Sequence, residues 1–213
     1  MVKLSHLDER GRARMVDVGH KPVTTRRAVA SALVVLARQA LEQVWNGGLE
    51  KGDALAVARL AGIQGAKQTP ALIPLCHPLP LDHVAIELRL LLERSAIKVF
   101  AETRTRAATG VEMEALTGAA VASLALIDMV KGVDRTAHVA ELKLEIKEGG
   151  SSGRWTREGF EDPFSLENKA GSKKPPRQKS AGGMDGDSNR EGSLRINRRG
   201  RRDQNSPRQK RGR

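Results

Sequence analysis

Between Asp82 and Glu93 the chain reads DHVAIELRLLLE, which places Val84, Ile86, Leu88, Leu90 and Leu92 on one side of an extended backbone and mostly polar residues on the other. A period of two with one apolar side is the pattern of a half-buried strand. After the short ERSA turn, Ile97, Val99, Ala101 and Thr103 keep the same period against Lys98, Phe100, Glu102 and Arg104, so the two runs predict an antiparallel hairpin. The dry face of such a hairpin must be covered, and the rest of the chain offers helices to cover it.

Reading outward from the hairpin, ARMVDVG (13–19) predicts a short strand. TTRRAVASALVVLARQALEQVWNGG predicts a helix over 24–48, with Thr24 or Thr25 as its cap, Ala28, Ala32, Val35, Leu36 and Val44 near helical spacing, and Gly47-Gly48 as the stop. A second helix is expected over GDALAVARLAGIQGAK, capped by Asp53. Gly62 and Gly65 would weaken it unless something packs very close to them. A short turn follows, with Thr69 as its cap and Pro70 in the first helical position, where its missing N–H costs nothing. GVEMEALTGAAVASLALIDMVKGV is a long helix rich in small residues, and AELKLEIKEGG closes with another alternating strand.

Strand, two helices, two strands, helix and strand make an α+β domain: an antiparallel sheet with helices packed on one face, ferredoxin-like. Tyr is absent and only three Phe and two Trp occur, so the core must be aliphatic. Ala-rich helices around a thin core leave apolar surface to bury between copies, and an oligomer is expected.

Apolar residues thin out near Phe160, which divides the chain into a domain at 1–160 and a basic, disordered tail at 161–213. The tail carries 15 Lys and Arg against 7 Asp and Glu, so most of the chain's net charge of +12 belongs to it. A tail of this kind could add loose, salt-sensitive contact to nucleic acid. It has no aromatic residue after Phe164 on which a base could stack, so such contact is not expected to be the main function. One cysteine excludes an internal disulfide framework and a Cys-rich metal site. No run approaches the roughly 20 apolar residues of a membrane span, and the first residues lack the apolar core of a signal peptide. A cytoplasmic protein is expected.

Polar residues that interrupt apolar patterns are the candidates for chemistry, because a buried charge needs a partner or a task. Lys51 stands beside a flexible Gly52, and Lys67 follows two glycines. Pro74 and Pro78 stiffen the backbone around Leu75, Cys76 and His77, which suits either a rigid recognition edge or a buried thiol beside a hydrogen-bonded imidazole. Glu112 and Glu114 sit in the first turn of the long helix. Asp128 and Lys131, three apart near its end, share a face. Glu114 and Asp128 also share a face, but 14 residues at 1.5 Å each set them roughly 21 Å apart, so one small ligand would reach both only if two copies contribute. Lysines with Arg26 suit phosphate, and an Asp-Lys pair suits proton transfer. No Walker or dinucleotide glycine loop is present. These residues point to an anionic, phosphorylated small ligand.

As a set, MVDV, KGD, ARxAGIQxAK, LIPLCHPL, TGVEMEAL and DMVKGV resemble the molybdenum cofactor biosynthesis protein C family, the cyclic pyranopterin monophosphate synthases, from about Leu4 to Gly153. The resemblance implies an enzyme, a lyase, that converts 3′,8-cyclo-7,8-dihydroguanosine 5′-triphosphate to cyclic pyranopterin monophosphate with release of pyrophosphate, in molybdenum cofactor biosynthesis. It implies a homohexamer, a trimer of dimers, with active sites between subunits. It implies Asp128, Lys131 and Lys51 as the acid-base group. Leu75, Cys76, His77, Met113 and Glu114 become substrate contacts, with Glu112, Arg26, Lys67 and Lys147 as further ones. No cofactor and no protein-held metal is implied, though Mg2+ could travel with the substrate's phosphates.

The chain departs from the family pattern at Ala107-Ala108 and at Ser151, where lysines are expected, and both changes remove positive charge near the supposed anion site. Two other classes compete with this reading: a catalytically weakened oligomer whose tail binds nucleic acid, and a metal-dependent hydrolase using His77 and His83.

Overall fold

The hairpin is present: a strand at His83–Leu91 (β2) pairs antiparallel with Ala96–Ala107 (β3), Ile86 facing Ala101 and Leu88 facing Val99. In the computed structural model, which describes residues 10–165, these strands belong to a five-stranded antiparallel sheet. Its remaining strands are Thr24–Val35 (β1), His138–Glu148 (β4) and the short Trp155–Thr156 (β5). The order across the sheet is β2-β3-β1-β4-β5.

β1 corrects the helix expected over 24–48. It lies at the centre of the sheet, hydrogen-bonded to β3 on one side and β4 on the other. A strand buried on both faces reads as a continuous apolar run rather than an alternating one, so AVASALVV carried no period of two to set against helical spacing. Its neighbours decide the matter: twelve residues of β1 pair in register with all of β3, from Thr24 opposite Ala107 to Val35 opposite Ala96. The helix (α1) occupies only Arg38–Asn46 and stops at Gly47, whose φ of 67° closes the last turn. The strand expected over 13–19 is absent, and that stretch is extended chain with only an isolated bridge at Ala13.

The other helices follow expectation more closely. Ala54–Lys67 (α2) is capped by Asp53, whose side chain accepts from Ala56 N at 2.9 Å. A single turn (α3) spans Thr69–Leu72 with proline near its start, although Gln68 rather than Thr69 is its cap. The long helix (α4) runs Glu112–Val130. By length and composition α4 could cross a membrane, contrary to the expectation that no such run exists, but Ala115, Ala119, Ala122 and Leu126 are fully buried in the core.

α2 and α4 cover the sheet face that carries Ala28, Ala30, Ala32, Val34, Val99 and Ala101. Their glycines explain how closely they pack. A Cβ at Gly65 would lie 2.6 Å from Val121 Cβ, and one at Gly62 would lie 2.9 Å from the Gly118 carbonyl. The two helices therefore meet backbone to backbone, and this contact fixes the loop before α2 beside the end of α4.

The opposite sheet face is polar at its centre. Glu102 is 1% exposed and accepts from Arg27 and Arg104. Residues after β5 lie on it: Phe160 tilts onto Phe100 with ring centres 6.2 Å apart, and Asp162 accepts from Arg27 at 2.6 Å. The basic tail beyond residue 165 lies outside the described residues.

Candidate active site

The polar candidates collect at the two ends of α4. At its C-terminal end, Lys51 comes from the loop before α2, where Gly52 takes a φ of 91°. Its ammonium donates to the Asp128 carbonyl at 2.6 Å and to the Asp128 carboxylate at 3.2 Å. Lys131, three residues on, reaches the other carboxylate oxygen at 2.6 Å. All three side chains are solvent-exposed. The hydrogen bonds from Lys131 and then Lys51 hold the Asp128 carboxyl below its ordinary range. Asp128 is therefore an anion that orients two cations, and as a free proton acceptor near neutrality it is weak.

At the N-terminal end two adjoining cavities open, of about 300 Å³ and about 620 Å³. The smaller is lined by Leu75, Cys76, His77, Met113 and Glu114, with Val16 and Val18 across from them. Glu114 is 4% exposed. Burial, reinforced by the nearby charge of Glu112, pushes its carboxyl up to about 7. Burial first and Glu114 second push the Cys76 thiol up as well, which leaves it protonated and a poor nucleophile. His77 donates from Nε2 to the Val16 carbonyl at 2.9 Å, and since a carbonyl only accepts, that nitrogen carries the proton.

The larger cavity is lined by Arg26, Lys147, Thr24 and the glycine-rich loop at 150–152. Arg26 is 8% exposed and spends Nε and Nη2 on the carbonyls of Ala107 and Ala108, at 3.2 and 3.3 Å. Among the described residues it has no carboxylate partner, so a buried guanidinium faces a cavity with its charge uncompensated, an arrangement that favours an anionic ligand. Lys147 pairs with Glu112 at 3.4 Å. Two glycines make room for these charges: a Cβ at Gly150 would lie 1.9 Å from Arg26 Nη1, and a Cβ at Gly110 would lie 1.9 Å from Glu112 Oε2. Ala108 and Ser151, the positions that depart from the family pattern, are both in this wall.

One chain thus gathers Asp128, Lys131 and Lys51 into one group and Leu75, Cys76, His77, Met113, Glu114, Glu112, Arg26 and Lys147 into another, and it leaves the groups at opposite ends of α4. Lys67 joins neither. It sits in the last turn of α2 on a third groove, beside Ile63, Asp82 and His83. The residues that sequence reasoning missed are Lys21, Thr109 and Gly110, which line both cavities, and Gly150. Lys21 had a legible signal, standing between Gly19 and Pro22 as Lys51 stands beside Gly52. For metal, His77 is bonded to Val16 while His83 lies 3.4 Å from Glu102, and no group of three or more metal-ligating side chains forms among the described residues.

The cyclic pyranopterin monophosphate synthase of Streptomyces griseus is 50% identical over 161 residues, covering 76% of this chain and 90% of that protein. The enzyme of the same name from Thermomicrobium roseum is 52% identical over 161 residues, 76% of this chain and 97% of its own. Human molybdenum cofactor biosynthesis protein 1 is 54% identical over 155 residues, 73% of this chain and 24% of that longer protein. Residues 15–150, which carry β1 to β4 and both ends of α4, match the MoaC family as a whole, and the chain belongs to that family.

Proposed function

We propose that this chain acts as a cyclic pyranopterin monophosphate synthase, converting cyclised dihydro-GTP to the cyclic pyranopterin monophosphate with release of pyrophosphate. The observation that carries the reading is the buried Arg26, without an acidic partner among the described residues, in a cavity that shares lining residues with the one that holds Glu114. Such a pair of cavities suits one molecule that carries both a phosphate chain and a hydrogen-bonding heterocycle. The names of the relatives supply the product, cyclic pyranopterin monophosphate.

In this reading the larger cavity takes the triphosphate. Arg26 and Lys147 neutralise it, and they stabilise pyrophosphate as a sugar-derived hydroxyl oxygen bonds to the α-phosphorus and the bond to the β-phosphate breaks. The smaller cavity takes the purine-derived ring against the stiff edge Leu75 to His77, with Met113 and Glu114 opposite. Lys131 and Lys51 relay protons during ring opening and closure. Asp128 keeps them charged and aimed rather than serving as the base, which its two short lysine contacts support. Mg2+ arriving with the phosphates would add charge to the larger cavity, and no resident cofactor forms part of the proposal.

Because the two groups lie roughly 21 Å apart along α4, the working site combines the N-terminal end of α4 from one copy with the C-terminal end from another, in a homohexamer built as a trimer of dimers. Exposed Val57 and Leu60 on α2 and Leu124 on α4 offer apolar surface for a second copy. Lys67 would enter the site from such a neighbour, and the assembly would work in the cytoplasm.

The test is to incubate the purified chain with cyclised dihydro-GTP. Stoichiometric pyrophosphate and the cyclic pyranopterin are expected, and neither product would form if the assignment were wrong.

A further inference from the structure

We infer that Lys21 is a substrate-binding cation, held over the junction of the two cavities on a flap of residues 16–22 that His77 pins in place. The inference rests on the functional reading above for the identity of the natural ligand, and on the following geometry for the rest.

The flap precedes β1. Val16 and Val18 form one wall of the smaller cavity, Pro22 belongs to the wall of the larger, and Lys21 lines both. Within the flap the order comes from two short-range bonds: Gly19 N donates to the Asp17 carboxylate at 2.9 Å and Lys21 N donates to the Val18 carbonyl at 3.0 Å. The hold from outside is the bond from His77 Nε2 to the Val16 carbonyl, which spans 61 residues of sequence. Pro22 restricts the backbone of Lys21 to extended conformations, so the side chain is presented with reduced freedom.

The charge balance gives the lysine its task. Glu112 cancels one of the two positive charges that Arg26 and Lys147 bring to the larger cavity, and Ala108 and Ser151 in the same wall are neutral. Lys21 has no ion pair among the described residues, so it doubles the net positive charge facing a phosphate chain. His77 is then a positioning residue. Its proton-bearing nitrogen is committed to the flap, and its effect on phosphate binding passes through Lys21.

The experiment uses the full chain and two readouts. Binding of inorganic tripolyphosphate is measured by calorimetry for Lys21→Ala, Lys21→Arg, His77→Ala, His77→Gln and the double alanine variant. Lys21→Ala should weaken binding about tenfold, as expected for one lost charge-assisted contact, and Lys21→Arg should retain it. His77→Ala should weaken binding by a similar factor and His77→Gln, which keeps an N–H donor, should recover part of it. Lys21→Ala should add little in the His77→Ala background, because residues acting through one another are not additive. With cyclised dihydro-GTP, Lys21→Ala should raise KM and spare kcat. Unchanged affinity in Lys21→Ala would overturn the binding role, and effects that multiply in the double variant would overturn the pin. A wild-type chain that binds tripolyphosphate as described yet does not turn over the nucleotide would instead defeat the functional reading and leave this inference standing.

Discussion

Gly150 separates two consequences of a glycine, freedom at positive φ and room for a neighbour, and Gly150→Ala measures the second. Gly150 has a φ of 76° and Gly153 a φ of 66°, so alanine at either meets the same left-handed penalty of about 1–2 kcal/mol. For a chain of this size that lowers the melting temperature by roughly 2–4 °C per kcal/mol. Only Gly150 has a side chain against it: a Cβ there would lie 1.9 Å from Arg26 Nη1, whereas nothing stands within 4 Å of one at Gly153. To restore van der Waals separation the guanidinium must retreat by roughly 1.5 Å. Its bonds to Ala107 and Ala108, already 3.2 and 3.3 Å long, would then break. A displaced Arg26 would lose the phosphate contact proposed for it, worth about 1.5–3 kcal/mol, which is roughly 10- to 100-fold in affinity. Calorimetry with tripolyphosphate on Gly150→Ala and Gly153→Ala is the assay. Both variants should melt a few degrees early, and only Gly150→Ala should lose affinity. Equal affinities in the two variants would refute the reasoning.

Single replacement of Lys51, Asp128 or Lys131 by alanine should leave urea unfolding nearly unchanged, since all three are exposed, and should abolish pyrophosphate release. Gly65→Ala should destabilise the chain by about 1–3 kcal/mol despite alanine's better helix propensity, because the added methyl meets Val121 at 2.6 Å; a chain as stable as wild type in urea would contradict the close α2–α4 contact. The Glu114 carboxyl titrates near 7 when folded, against an ordinary 4.5. The folded state therefore binds the proton more tightly, and stability falls as pH rises from about 4.5 to about 7. Glu114→Gln should flatten that part of the stability-pH curve, and an unchanged slope would count against the burial argument.

How much of this was legible depended on which faces of an element are dry. The β2–β3 hairpin could be read at once because polar and charged residues alternate with apolar ones along both strands, even though Phe100 and Glu102 of β3 turn out to be buried, and α2 could be read from Asp53 and its alanines. β1 could not. Both of its faces are covered, so the sequence shows no alternation, and the same alanines and valines fit a helix. The element order survived this error only because ARMVDVG supplied a first strand that does not form, while the true one lay eleven residues further on. At the site, the acidic and basic residues within quoted motifs were legible as types, and the distance between the ends of α4 followed from helix rise alone. Lys21 carried a signal in its place between Gly19 and Pro22, but its role and those of Gly110 and Gly150 were not legible, because they depend on which loops converge on a cavity. That the polar edge at His77 faces a flap rather than open space is likewise a property of packing.

The account's central claim is that each working site takes one end of α4 from each of two copies, and subunit mixing tests it most directly. An Asp128→Asn chain and an Arg26→Ala chain are unfolded together, refolded and assayed for pyrophosphate release at a concentration of cyclised dihydro-GTP where neither chain alone shows release. If sites are shared between copies, random pairing restores about a quarter of the wild-type sites, since about half of the pairs are mixed and one of the two sites in each mixed pair carries both intact halves. If each chain held a complete site of its own, the mixture would stay as inactive as its parents.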